Sequence, residues 1–362
     1  MPTLAQVVPS LAAGLGVSGF ANALHCPEIA HGVVCLIDGL GADALSAHGA
    51  AAPTLASRHA DPITTVLPST TPTALASLGT GLPPGGHGIV GAAFLLDDDR
   101  VLAPLTWGSD PAPLAVQPER TLFETLTSRG VRVTTVAAAA YERSGLTRAA
   151  LRGATYRPVE DVSDRCRALI ESTAGAGPSL TYVYWPDLDR TGHMAGVGSE
   201  PWLRALADVD DLVRRLAECL PDDAAMIVTS DHGMVNCDRR VNLDARLDLL
   251  ADVDVVAGEP RFRHVYAAPG RSAAVAERWR AGLAGQATVM TREEIVDRGL
   301  LGPVDEFIAE RIGDVVAIAE DTVSIASSVD PLVSSLIGQH GGRTAAELEI
   351  PACWFGAVDA GA

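Results

Sequence analysis

Residues 224–234 read AAMIVTSDHGM: an apolar run of strand length, then Ser230, Asp231 and His232, then a glycine. In an open parallel sheet, ligands sit beyond the carboxyl ends of the strands, so a polar residue directly after such a run is a site candidate. Two other runs end in the same way. VVCLID at 33–38 stops at Asp38, and LTYVYW at 180–185 passes through Pro186 to Asp187 and Asp189. With VRVTTVAA at 131–138, these short β-branched runs alternate with helical patterns. The alternation predicts an α/β fold with a mostly parallel sheet and helices on both faces. Leu206, Val209, Val213, Leu216 and Leu220 repeat at steps of three and four, which predicts one helix packing an apolar stripe on that sheet.

The chain of 362 residues is 48% hydrophobic and 20% charged, long enough to bury a large core in one big α/β domain or two smaller ones. Its net charge of −18 argues against nucleic acid or an anionic membrane surface as partner. There is no lysine, so all 27 basic residues are arginines; P-loop and Schiff-base chemistry, which need a lysine amine, are excluded. The cysteines Cys26, Cys35, Cys166, Cys219, Cys237 and Cys353 are scattered and read as reduced thiols. With no charged leader and no run of about 18 apolar residues, the expected location is the cytoplasm. From about 241 to 313, short charged stretches such as RFRHVY and TREEIVDRG predict an inserted subdomain, with 1–240 and 314–362 forming the core.

Each strand-end aspartate alone has an ordinary explanation as a cap or turn residue. Together they would repel one another in one crevice unless cations neutralised them, and Asp with His suits zinc or a similar divalent ion. The histidines follow this pattern. Asp189 and His193 stand in D-x-x-G-H, read as a loop folding both side chains onto one ion; Asp231 and His232 are adjacent at a strand end; His340 lies in GQHGG, where glycines let the backbone approach a crowded site. His25, His31, His48, His59 and His264 read as core histidines, and His87 in PGGHGIV stands between the two readings.

After DPITTVLP, the run STTPTALASLGTG offers several hydroxyls at a predicted helix start, where free amides and the dipole favour a phosphoryl group or an alkoxide. A simple N-cap would explain one of them. A threonine hydroxyl held by a metal would lose its proton near neutral pH and attack phosphorus.

IDGLGAD at 37–43, STTPTALASLGTGLPPGGHGIVG at 69–91, DLDRTGHMAG at 187–196, SDHGM at 230–234 and GQHGG at 338–342 together resemble the type I phosphodiesterase and nucleotide pyrophosphatase family of the alkaline phosphatase superfamily. The resemblance implies an alkaline-phosphatase-like three-layer α/β/α sandwich. It also implies two divalent metal ions, zinc first, with manganese or iron as alternatives. Asp189, His193 and His340 would hold one ion; Asp38, Asp231 and His232 would hold the other; Thr71 would bridge towards both as the nucleophile. Thr71 is preferred to Thr70 because the family's nucleophile precedes the threonine of its T-G pair, here Thr80-Gly81, by nine residues. The implied reaction is hydrolysis of a small phosphoester, monoester or diester, through a phosphothreonine.

The sequence departs from the family's nucleotide-cleaving members. Pro72, Thr73 and Ala74 replace a bulky aromatic followed by P-N, and Gly91 and Ala92 follow HGIV where an asparagine is usual, so nucleotide specificity is not carried over. Arg261, Arg263 and His264 are candidates to reach a substrate from the inserted region, the alternative being a solvated charged strand face. Trp185 lines a pocket or packs in the core. The rival readings are a phosphonate hydrolase or other phosphoryl-transfer enzyme of the superfamily, and an inactive metal-binding scaffold. The scaffold gives no reason to keep so many mutually repelling carboxylates.

Overall fold

The computed structural model describes residues 1–58, 61–96 and 100–357; His59 lies outside the described residues. Ten strands make the two main sheets: β1 (His31–Ile37), β2 (Arg132–Ala137), β3 (Thr155–Pro158), β4 (Ser179–Trp185), β5 (Ala224–Thr229), β6 (Val253–Glu259), β7 (Phe262–Ala267), β8 (Ala287–Thr291), β9 (Val315–Ala319) and β10 (Cys353–Gly356). The first sheet runs β10-β5-β1-β4-β2-β3, with every pair parallel except β10 on β5.

β1 is central and entirely buried, and its side chains alternate between two cores, as a period of two requires. Val34 and Leu36 pack with Leu11 of α1 (Val7–Gly14), Leu78 of α2 (Thr71–Thr80) and Phe123 of α3 (Leu122–Ser128). Val33, Cys35 and Ile37 pack with Leu169 of α4 (Val162–Thr173), Leu188 of α5 (Asp187–Ala195) and Leu206 of α6 (Glu200–Glu218). The result is the expected three-layer α/β/α arrangement. In α6 four of the five predicted stripe residues, Leu206, Val209, Val213 and Leu216, are fully buried, whereas Leu220 lies beyond the helix end and is half-buried; the Ser199 hydroxyl caps the first turn by accepting from the Trp202 amide. Truncating one such leucine to alanine costs about 2–5 kcal/mol.

α2 is buried along its whole length. Gly79 presses it against the α3–α4 connection so closely that an added Cβ would come within 1.8 Å of the Ala150 carbonyl oxygen.

The second sheet, β6-β7-β9-β8, is antiparallel throughout, and α7 (Ser272–Gly282) covers one face with Val275 and Trp279. β9, which the sequence reading gave to the core beyond residue 313, lies inside this sheet with a partner on each side. β6 and β7 form a hairpin in which Glu259 pairs with Phe262 across a Pro260-Arg261 tip. All six cysteines carry free thiols. Among the described residues, no helix is long and apolar enough to cross a membrane.

Candidate active site

The carboxyl ends of β1, β4 and β5 lie side by side, because the three strands pair in parallel and in register. Asp38 follows β1, and Asp231 and His232 follow β5. Asp189 and His193 sit on α5, which begins just after β4. The D-x-x-G-H stretch is therefore a helix and not a loop, and four-residue spacing puts both side chains on one helical face. Gly192 inside it lets α5 lie on Met234 and Trp202, where a Cβ would meet Met234 Sδ at 2.6 Å. His340 arrives on a short strand, Gly338–Gln339, paired with Val235–Asn236 just beyond His232.

The six donors fall into two groups of three, Asp189–His193–His340 and Asp38–Asp231–His232, with the donor atoms of each group within 4.8 Å of one another. The second group is wholly buried; in the first, Asp189 and His193 are partly exposed. The imidazoles of His232 and His340 stack with ring centroids 3.7 Å apart, so the groups adjoin.

The backbone sets the tautomer of each histidine. His232 Nδ1 donates to the Gly233 carbonyl at 3.0 Å, His193 Nδ1 to Gly338 at 2.7 Å and His340 Nδ1 to Ser69 at 3.0 Å. A carbonyl can only accept, so Nδ1 carries the hydrogen and each neutral ring turns its Nε2 lone pair inward. His193 Nε2 lies 3.2 Å from Asp189 Oδ2, and His232 Nε2 lies 3.4 Å from Asp38 Oδ1 and 3.5 Å from Asp231 Oδ2. Asp189 Oδ1 and Asp231 Oδ2 are buried with no hydrogen-bond partner. A buried carboxylate oxygen left unpaired is expensive, and a cation is the partner this donor chemistry suits.

Charge differs between the groups. Burial, then the charges of Asp231 and Asp189, push the Asp38 carboxyl well above its usual range. Asp189 is also disfavoured by burial, yet its histidine neighbours, His193 first, hold it down to about 2. Asp189 in turn raises His193 against the opposing effect of burial, while burial and the neighbouring His232 hold His340 well below the usual imidazole value.

Thr71 is the first residue of α2, with Pro72 in the first turn and Thr70 as an extended N-cap whose hydroxyl makes no cap bond. Thr71 Oγ1 lies 3.1 Å from His232 Nε2 and 3.5 Å from Asp38 Oδ1. The Thr70 hydroxyl is buried and unpartnered. Of the two threonines, Thr71 is the one that meets the donor groups.

Four residues at the site escaped the sequence reading. The Tyr184 hydroxyl donates to Asp38 Oδ2, and the alternation of LTYVYW was the only hint that this ring points towards the site. Tyr141 stands edge-on to Tyr184 at 5.7 Å, and with Tyr182 they line a cavity of about 80 Å³ that opens beside Thr71, Leu75 and Leu146. Aromatic rings thus flank Thr71 although none follows it in sequence. Glu259, at the end of β6, is buried with its Oε2 3.6 Å from His340 Nδ1.

Other candidates sit elsewhere. Arg261 and Arg263 are fully buried, so they form neither a substrate clamp nor a solvated strand face. Arg261 forks onto both carboxylate oxygens of Glu347, and Arg263 binds Asp330 and the Ile325 carbonyl. His264 is a core residue, accepting from the Gly313 amide and donating to the Val90 carbonyl. His87 is likewise buried, between Ser77 Oγ and the Ile89 amide, and burial pushes it down to about 3. His31 is buried against Ser179, and His48 is half-buried against Trp202. His25 is exposed, at φ 54, and is not a core residue: it occupies a turn closed by the Asn22 side chain, whose Nδ2 donates to the Cys26 carbonyl and whose Oδ1 accepts from the Cys26 amide. Trp185 is half-buried with the Arg165 guanidinium 4.6 Å above its ring.

Residues 33–343 match the family described as type I phosphodiesterase / nucleotide pyrophosphatase. The chain belongs to this family of phosphoester hydrolases. Among curated relatives, it is 36% identical over 83 residues to the bis(5'-adenosyl)-triphosphatase ENPP4 of Homo sapiens, a match covering 20% of this chain and 18% of that protein. It is 32% identical over 129 residues to human ectonucleotide pyrophosphatase/phosphodiesterase family member 5, covering 31% of this chain and 27% of the relative. The matches therefore span less than a third of these relatives' length. Among solved structures, the fold is shared with inactive murine ectonucleotide pyrophosphatase/phosphodiesterase 5 in complex with AMP (TM-score 0.69, 22% identity, 90% of this chain and 87% of that one). It is shared equally with phosphonoacetate hydrolase of Sinorhizobium meliloti in complex with phosphonoformate (TM-score 0.69, 20% identity, 91% and 90%).

Proposed function

We propose that this chain hydrolyses a small phosphoester, using Thr71 as nucleophile and two divalent ions, zinc first, with manganese or iron as alternatives. Asp189, His193 and His340 would hold one ion and Asp38, Asp231 and His232 the other. Bound there, the ions would neutralise the carboxylates, acidify the nucleophile and offset charge on the phosphoryl group. The observation that carries the reading is Thr71 Oγ1 at the open end of a buried helix, 3.1 Å from His232 Nε2. The free amides of the first turn of α2 favour phosphoryl oxygens, and the buried helix fixes the direction of attack. Attack by Thr71 forms its bond to phosphorus as the bond to the leaving oxygen breaks; water then cleaves the phosphothreonine and restores the hydroxyl.

The cavity beside Thr71 is lined by tyrosines, leucines and small hydroxyl residues, with no charged side chain. That lining favours an uncharged leaving group. Free thiols throughout support a reducing, cytoplasmic setting, and the charge of −18 keeps bulk nucleic acid out of the proposal.

The test is turnover of p-nitrophenyl phosphate, bis-p-nitrophenyl phosphate and p-nitrophenyl phenylphosphonate by wild type and Thr71→Ala, with zinc or manganese added and then chelated. Metal-dependent turnover absent from the variant is expected, and the preferred substrate separates monoester, diester and phosphonate chemistry. Wild type that binds metal yet turns over none of the three would overturn the catalytic reading in favour of a scaffold.

A further inference from the structure

The β6–β7 hairpin tip reaches the segment that carries His340 at two points. Arg261 grips Glu347, and Glu347 Oε1 accepts from the Gly342 amide at 2.8 Å, which fixes the backbone just after His340. Two residues earlier, Glu259 fills the space over Gly341: a Cβ there would lie 2.6 Å from Glu259 Cδ, and Gly341 has φ +113, a conformation that suits glycine. On its other side Glu259 faces the hydroxyl of Thr70, the N-cap of α2, although neither Glu259 Oε1 nor Thr70 Oγ1 has a well-aligned hydrogen bond. The Glu259 side chain thus occupies the junction between the nucleophile's helix, the His340 ring and the turn that follows that ring.

We propose that Glu259 is a positioning residue. From the second sheet, it wedges the His340 ring in the pose that completes the Asp189–His193–His340 group, and it leaves the Asp38–Asp231–His232 group to the first sheet alone. The inference rests on the two-ion reading above. Its logic is that of outer-shell partners generally, which orient a ligand ring and whose loss costs 10–100-fold in metal affinity. Here the wedge acts by shape, since Ser69, and not Glu259, accepts the Nδ1 hydrogen of His340.

The experiment is a Co²⁺ titration of the chelator-stripped full-length chain, read by visible absorption and calorimetry. It compares wild type, Glu259→Ala, Glu259→Gln and, as a control for loss of packing against the same sheet, Val275→Ala on α7. Wild type should bind two equivalents. Glu259→Ala should weaken one of them about 10–100-fold, with a changed cobalt spectrum, and the other far less. Glu259→Gln, of the same shape, should restore the weakened equivalent, and Val275→Ala should bind as wild type does. If Glu259→Ala does not fold, Glu259→Asp, shorter by one methylene, should show the same one-sided loss. Two unchanged equivalents in a folded Ala or Asp variant, equal weakening of both, or a Gln variant as weak as Ala would overturn the wedge. Wild type that binds no divalent ion would overturn the two-ion reading itself.

Discussion

The two donor groups use the same residue types and are built in opposite ways. Asp38–Asp231–His232 hangs from the ends of two neighbouring strands, wholly buried, with carboxylates that repel and push Asp38 up. Asp189–His193–His340 is assembled from a helix and a late loop, partly exposed, with an Asp189–His193 pair that already satisfies part of its own charge. In the buried group a proton or a cation must relieve the crowded carboxylates, whereas in the partly exposed one the Asp189–His193 pair offsets part of the charge itself. Thr71 touches the first, and Glu259 of the second sheet reaches the second.

The strongest way to sharpen this contrast is Thr71→Ala. kcat should fall on the order of a thousandfold or more, as for loss of a nucleophile, while both metal equivalents remain. A variant that kept wild-type turnover would detach the nucleophile from the buried group. Next, Arg261→Met strands the buried Glu347 carboxylate and should cost about 3–5 kcal/mol in urea unfolding, with the His340 side of the site loosened first. A loss confined to turnover, with no loss of stability, would show that the brace is not structural.

Smaller effects should appear in the chelator-stripped protein, with opposite signs in the two groups. Asp189 is held at about 2 against an ordinary 3.8, so folding favours its ionised form. Its contribution is full above about pH 4 and is lost as pH falls towards 2, and Asp189→Asn should lower stability near neutrality by about 2 kcal/mol. His193, raised in the fold, adds stability below its ordinary 6.5 that is lost as pH rises through its folded value. Asp38, raised, works the other way: the stripped protein should gain stability as pH falls through the folded value of Asp38, and Asp38→Asn should stabilise it. Thermal melts from pH 3 to 8 read both signs, and equal responses of the two aspartates would erase the contrast.

How far the sequence exposed this arrangement depended on whether the signal was local. Asp38, Asp231 and His232 were legible because an apolar run that stops at a carboxylate is written in consecutive residues. The three layers were legible for the same reason, in unbroken apolar runs such as that of β1 interleaved with helical patterns and in the three-and-four steps of α6. Asp189 and His193 were found, but their helix was missed: glycine and closely spaced aspartates weaken the helical pattern, and α5 is held by packing of Gly192 on Met234 and Trp202, which lie at a distance in sequence. Arg261 and Arg263 read as a substrate clamp or a solvated face because their partners, Glu347 and Asp330, lie 86 and 67 residues away. Glu259 gave no signal at all, since only the tertiary fold brings it to His340. β9 was assigned to the wrong sheet because a strand's own residues do not say which neighbours it pairs with.

Gly79 gives Thr71 an unusual kind of dependence. The residue touches no donor and no cavity beside Thr71, yet the helix that presents Thr71 rests on the Ala150 carbonyl only because one carbon atom is missing there. A single methyl would force the helix, and with it the threonine hydroxyl, off its register with His232. The Thr71 end of the helix is thus anchored by an omission two turns away, and a mutational scan should find one of the least forgiving positions near the candidate site at a residue with no side chain at all.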